Sequence, residues 1–225
     1  MDNCFSCYFG DYEIIIPKNN IEFNNGYGIV NAVFNGEDEN HVYNEPLVGI
    51  VDSNYKLIFG LMPCFIAHKI KIFANGIILI KYNEELSMVN KNYNVYSCTV
   101  NDEGYLQTDI SLDAEDFDVV DENVVILKFL ISNNMVMVLY NVLERTILTP
   151  YYTYIGDFIY NKSYGEEVAE AILTIWDDNF NVLLTLKCYI NKLGNAVSPY
   201  INTITNTIYD GYLDIEFKSN NGYNK

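Results

Sequence analysis

The order of apolar and polar residues along this chain predicts short strands joined by turns, and the prediction repeats. "GIVDSNYKLIF" (Gly49 to Phe59) places a polar turn between two apolar runs, which is a hairpin signal. Near-copies follow as "SMVNKNYNVYS" (Ser87 to Ser97) and "TIWDDNFNVLL" (Thr174 to Leu184). Their shared core is Asp or Asn, any residue, Asn, an aromatic, Lys or Asn, then Leu or Val. Asx side chains in such a turn bond their own backbone and tolerate left-handed geometry, while the flanking β-branched residues favour strands.

The spacing of these turns predicts a repeat. Tyr55 and Tyr93 stand one period apart, and the interval from Tyr93 to Phe180 leaves room for two. "MVMVLYNVLERTIL" (Met135 to Leu148) fills the gap as a decayed copy with Asn141 and Val142 at its turn. A second signature, an aromatic or apolar residue shortly before a glycine, recurs in "FNNGYGI", "FANGIIL", "INKLGNAV" and "IYDGYLDI". Periods of about 40 to 50 residues with several strands each are the range of propeller blades and related arrays. The fold class expected is all-β: residues 1–225 as a single β-repeat domain of about five antiparallel units, forming a small β-propeller-like ring. An open β-repeat array and a β-sandwich are the alternatives. Residues 101–118 read as an acidic insertion in one longer unit. At the ends, Tyr12 to Pro17 resembles the second half of a unit and Tyr212 to Lys218 the first half, so these strands are expected to share one sheet and close one blade.

The same residues resemble the WG-repeat (KWG) family of bacterial proteins, in which a glycine and a short strand lead through a turn to a second strand. "GIVDSNYKLIF", "YEIIIPKNNIEFNNGYGIV" and "FANGIILIKY" match that grammar, over roughly Tyr12 to Val100. The naming Trp-Gly pair is absent, and Tyr55, Tyr93 or Phe180 stands where the turn glycine is usual. The resemblance implies a β-rich repeat protein that serves as an interaction surface and carries no catalytic residues.

Composition sharpens this picture. The apolar share of 50% is ample for a core, and 20 Tyr and 12 Phe against a single Trp suit pleated surfaces. Thirty acidic against 13 basic residues give a net charge of −17, which repels nucleic-acid backbones and anionic lipid. The apolar region Val124 to Leu143 is broken by Lys128 and by Ser132, Asn133 and Asn134, short of the roughly 20 clean residues of a membrane-spanning helix. "MDNCFSCYFG" has no basic flank or apolar core of a secretory signal. A cytoplasmic protein, bacterial or phage-encoded, is expected. Five cysteines, most of them far apart, suit reduced thiols. Cys4 and Cys7 supply half a zinc site without the other half, so no metal or other cofactor is expected, and replacing both by Ser is expected to leave stability unchanged.

Chemistry is sparse. His41 and His68 come without a nucleophile elbow, and no phosphate-binding glycine loop precedes a helix. No enzyme is expected. The dense acidic runs lie in predicted connections, and Glu37, Asp38, Glu39, Asp113, Glu115 and Asp116 are the candidate binding residues. The function expected is non-catalytic binding of another macromolecule, a protein partner first. An acidic inhibitor mimicking a polyanion and a glycan-binding module are the alternatives.

Overall fold

The computed structural model describes residues 3–37, 42–89, 92–176 and 181–209. The described part is all-β apart from one 3-10 turn at Lys18–Asn20, so it holds no helix long and apolar enough to cross a membrane. The chain divides into two compact units, Met1–Pro150 and Tyr151–Lys225.

The first unit opens with a hairpin of β1 (Cys4–Phe9) and β2 (Tyr12–Pro17). Three antiparallel meanders follow in chain order. The first contains β3 (Phe23–Asn24), β4 (Tyr27–Glu37), β5 (Val42–Asp52) and β6 (Leu57–Pro63). The second contains β7 (Ala67–Ile72), β8 (Ile78–Asn83), β9 (Tyr93–Val100) and β10 (Leu106–Ser111). The third contains β11 (Asp116–Val119), β12 (Val124–Ile131), β13 (Asn134–Asn141) and β14 (Thr146–Ile147). The second unit is one sheet, in which β15 (Tyr154–Ile155) and β16 (Ile159–Asn161) both pair with β17 (Glu166–Trp176), followed by β18 (Val182–Asn191), β19 (Tyr200–Asn202) and β20 (Ile208–Tyr209).

The apolar runs that blur the period of two have a structural cause: central strands of the first unit are buried on both faces. Leu47 and Val51 of β5 join Cys7, Ile16 and Val30 in a core shared with the hairpin, while Val48 and Ile50 join Ile72, Ile78 and Ile80 across the next interface. Leu79 of β8 points the other way, into a third core with Phe73, Val95, Phe117 and Val125. The first and second meanders therefore each bury one face on the element before them and one on the meander that follows.

One turn recurs at the same place, after β5, β9, β13 and β18. Asp52, Asn101, Asn141 and Asn191 begin it, each with a side-chain Oδ1 that accepts backbone N–H groups. Asp52 accepts from Asn54 and Lys56 (2.8 and 2.9 Å), Asn101 from Glu103 and Tyr105 (3.1 and 3.0 Å), Asn191 from Leu193 and Asn195 (3.1 and 3.0 Å), and Asn141 from Glu144 (2.9 Å). The fourth residue of three of these turns is left-handed: Gly104 (φ 79°), Gly194 (φ 82°) and Tyr55 (φ 64°). Glycine takes that geometry freely, whereas Tyr55 is held in it by its ring, which packs 5.1 Å from Phe5 and 5.6 Å from Phe23. Of the sequence copies, the Asn141 turn occupies the connection that Asp52 does. Val95 and Val182 instead belong to strands β9 and β18, one connection earlier in their sheets, with residues 90–91 and 177–180 outside the described residues. Asx turns suit any hairpin, so matched wording did not mark matched position.

Residues 101–118, expected as an insertion, hold this turn, the edge strand β10 and the start of β11. Val124 to Leu143 is the hairpin of β12 and β13, whose turn at Ser132 and Asn133 has two successive left-handed residues (φ 49° and 66°). Strand β2 pairs with β1, and Tyr212 to Lys218, expected in the same sheet, lie outside the described residues.

Candidate functional site

Between β6 and the sheet face of β8, β9 and β10 lies an open groove of about 640 Å³. The antiparallel register puts Ile80, Tyr82, Tyr96 and Cys98 on one face, since Ile80 pairs with Tyr96 and Ile78 with Cys98. Those residues, with Phe59, Met62 and Leu106, give the groove a largely apolar lining. Its polar end is organised by Glu84. The Tyr96 hydroxyl donates to Glu84 Oε1, as does the Asn94 side-chain amide at 3.3 Å, and the Tyr82 and Tyr96 rings meet edge to face at 6.5 Å. The hydrogen bond to Glu84 pushes the Tyr96 phenol up to about 12, with burial and the carboxylate's charge acting in the same direction. Burial likewise pushes the Cys98 thiol up to about 11, which keeps it protonated and unreactive near neutrality.

Glu84 also belongs to the connection from β8 to β9, and this connection has an unusual construction. Asn83, fully buried, receives the Glu85 N–H on its Oδ1 (3.2 Å) and donates its amide to the Ser87 carbonyl (2.7 Å). Its own backbone N–H donates to Ile66 O (2.8 Å), tying the loop base to the sheet. Leu86 is left-handed (φ 51°), a geometry that costs a non-glycine residue stability and needs such fixing. The segment so fixed holds Leu86, Met88 and Val89 in water, 57%, 61% and 88% exposed. Large apolar side chains are thus held out in water by a pinned backbone beside an apolar groove. Sequence reasoning saw Ser87 to Ser97 only as a turn copy; the signal it passed over was Leu-x-Met-Val inside a loop.

The described residues among the sequence-derived acidic candidates stand in different local settings. Glu37 ends β4 and pairs in register with Val42, and Asp38 and Glu39 lie outside the described residues. Asp113 is exposed and left-handed (φ 52°), with Ser111 Oγ donating to its carboxylate at 2.9 Å. Glu115 is half-buried, its N–H bonded to Lys128 O (2.8 Å). Asp116 faces three lysines, Lys81 at 3.4 Å, Lys69 at 3.7 Å and Lys128 at 3.9 Å. Asp118 pairs with Lys69 (2.9 Å) and Lys128. Burial opposes ionisation of Asp118, but its hydrogen bonds and charge contacts with Lys128 and Lys69 outweigh it and hold the carboxyl below the usual range. Asp116 and Asp118 are thus answered within the protein and join β11 to β7, β8 and β12.

The remaining sequence candidates scatter. His68 is exposed with its ring 5.5 Å from Tyr93, and His41 lies outside the described residues. Cys4 is exposed, whereas Cys7 is buried in the core between hairpin and first meander, where burial pushes its thiol up to about 11. The pair therefore occupies opposite sides of β1, and a serine at position 7 would put a hydroxyl into that core, so the double replacement costs stability instead of leaving it unchanged. Cys98 and Cys188 are buried and Cys64 half-buried, all as free thiols. No family model matches this chain, and no curated protein matches it either.

Proposed function

We propose that this chain is a non-catalytic binding protein that holds a protein partner at the loop Asn83 to Val89 and the groove beside it. The observation that supports this reading is the pinned loop: a buried asparagine fixes a strained backbone so that three large apolar side chains stand in water. A partner that covers them and places an apolar side chain in the groove gains by removing all of this surface from water together. The scaffold of the proposal is a small propeller-like ring of about five repeat units, a reading supported by the successive four-stranded meanders and by the turn common to them. In a closed ring, deleting residues 1–17 destabilises the whole protein; in an open array it frays one end.

The test of the function is capture from the native host by the immobilised full chain, compared with a Met88→Asp, Val89→Asp variant. Both side chains are exposed, so the variant keeps the fold. A protein retained by the native chain and released by the variant is the expected result, and equal retention overturns the reading. An acidic inhibitor that mimics a polyanion competes with this proposal and draws on the net charge of −17. The lysine partners of Asp116 and Asp118 weigh against it at that acidic run. Salt separates the two: apolar docking persists as ionic strength rises, and a polyanion mimic releases its partner steeply.

A further inference from the structure

The second unit carries a different kind of surface. In β17 and β18, residues alternate between a buried face of Ala169, Ala171, Leu173, Leu186, Cys188 and Ile190 and an opposite face that bears Glu170, Lys187 and Tyr189. The edge strands complete that second face, since Tyr154 pairs with Ile172, Ile159 with Val168, and Glu170 with Tyr189. Together they line an open cleft of about 590 Å³.

Its construction is specific. Gly156 donates its N–H to Glu170 O (2.9 Å), after which the chain leaves β17 and returns at Ile159, and this short departure sets Asp157 exposed at the rim. The Tyr154 ring lies over Gly156, where a Cβ would stand 3.1 Å from the hydroxyl oxygen and 3.3 Å from the ring. The glycine thus seats an aromatic platform that stays 44% exposed, and Tyr189, half-buried on the same face opposite Glu170, offers a second. Asn161 fixes the end of the cleft, its carbonyl accepting from Gly165 (2.9 Å) and its side-chain oxygen from Ser163 (2.9 Å).

The geometry points to a binding site for a neutral carbohydrate in this cleft. The charges decide against an ionic ligand: Glu170 is paired with Lys187 beside the lining, and the lining's two other charges, Asp157 and Lys162, are of opposite sign, so no single-sign patch is there to hold an anion or a cation. The rings decide against a purely polar one, since exposed tyrosine faces gain only by covering apolar C–H surface. A purely apolar ligand would strip water from the Asp157 carboxylate and the Asn161 amide without replacing its hydrogen bonds. A sugar ring meets all three conditions, with C–H faces for Tyr154 and Tyr189 and hydroxyl donors for Asp157. This site is separate from the groove of the first unit and does not depend on that proposal.

The experiment is isothermal titration of the full chain with cellohexaose, maltohexaose, xylohexaose, mannohexaose and chitohexaose, and with tetramethylammonium as a cation probe. The expected result is binding of at least one oligosaccharide with an affinity that does not change with salt. Tyr154→Ala and Tyr189→Ala each weaken it about tenfold, the loss of one aromatic contact. Asp157→Asn weakens it less, because an amide still accepts a hydrogen bond. Met88→Asp, in the first unit, leaves it unchanged. Silence across the oligosaccharides from folded protein overturns the proposal, as does sugar binding indifferent to Tyr154→Ala. Binding of tetramethylammonium alone overturns it too and assigns the rings to a cation.

Discussion

The sheet of β7 to β10 and the sheet of β15 to β20 are both antiparallel, yet they expose surface in opposite ways. In β8, Ile78 and Ile80 enter one core and Leu79 the next, and all three are at most 3% exposed. With its centre covered on both sides, that sheet has its edge, its connections and the uncovered end of one face to present, and its prominent surface is a connection, the loop from Asn83 to Val89. In β17 and β18, buried Leu186 and Cys188 flank Lys187, whose side chain is 40% exposed and paired with Glu170. There the open face is itself the surface, and it carries the tyrosine cleft. Layering thus decides whether a β-sheet displays a loop or a face, because a face already buried on a neighbour has nothing left to offer.

The largest effect that tests this contrast is in the cores. Ile78→Ala and Leu79→Ala are expected to cost about 2 to 5 kcal/mol each in denaturant unfolding, because each opens a cavity in a different interface. Leu186→Ala should cost as much, while its neighbour Lys187→Ala costs less than about 1 kcal/mol, the worth of an exposed ion pair. A small loss at Ile78 would mean that β8 has a free face after all, and the contrast would fail. A smaller effect is expected from Asn83→Ala, about 1 to 3 kcal/mol for the buried hydrogen bonds it removes. Its distinguishing sign is faster amide exchange through Glu85 to Val89, and unchanged exchange would show that the loop is held by something other than Asn83.

The smallest effect reads the polar end of the groove. The Tyr96 phenol is expected to titrate near 12, above the ordinary 10.0, and Glu84→Gln should bring it down by removing both the charge and the best acceptor. The sign is that of a group raised on folding. The stabilisation is complete below the unfolded value of 10.0 and is lost as pH rises through about 12. A near-ultraviolet titration in which Tyr96 ionises with the unperturbed tyrosines would remove Glu84 from the groove's polar end.

Much of the fold was legible locally. Asx residues followed by a left-handed position announced the turns at Asp52 and Asn141, whereas Ser132 and Asn133 read only as breaks in an apolar stretch and proved to be the turn of a hairpin. The connection in which a turn sits was less legible, because Asn101 and Asn191 spell the same turn with other letters: Gly104 and Gly194 stand where Tyr55 does. The acidic binding residues were chosen by density along the chain. Density does not reveal that Lys69 and Lys81, distant in sequence, come to stand against Asp116. The loop from Asn83 to Val89 escaped notice for a related reason, since exposure of Met88 depends on what fails to cover it.

The sequence by itself determined the strand-and-turn grammar of this protein: β-branched and aromatic runs favour pleated segments, and Asx and glycine residues supply the backbone bonds and left-handed geometry that join them. These are interactions among near neighbours, which the order of residues states directly. Only the tertiary structure decided which faces are covered, and with them where Cys7 is buried, which carboxylates are neutralised and which tyrosines remain open. A period of two says that a strand has two faces. What lies against each is fixed by packing between segments far apart in the chain, and on that packing both surfaces described above depend.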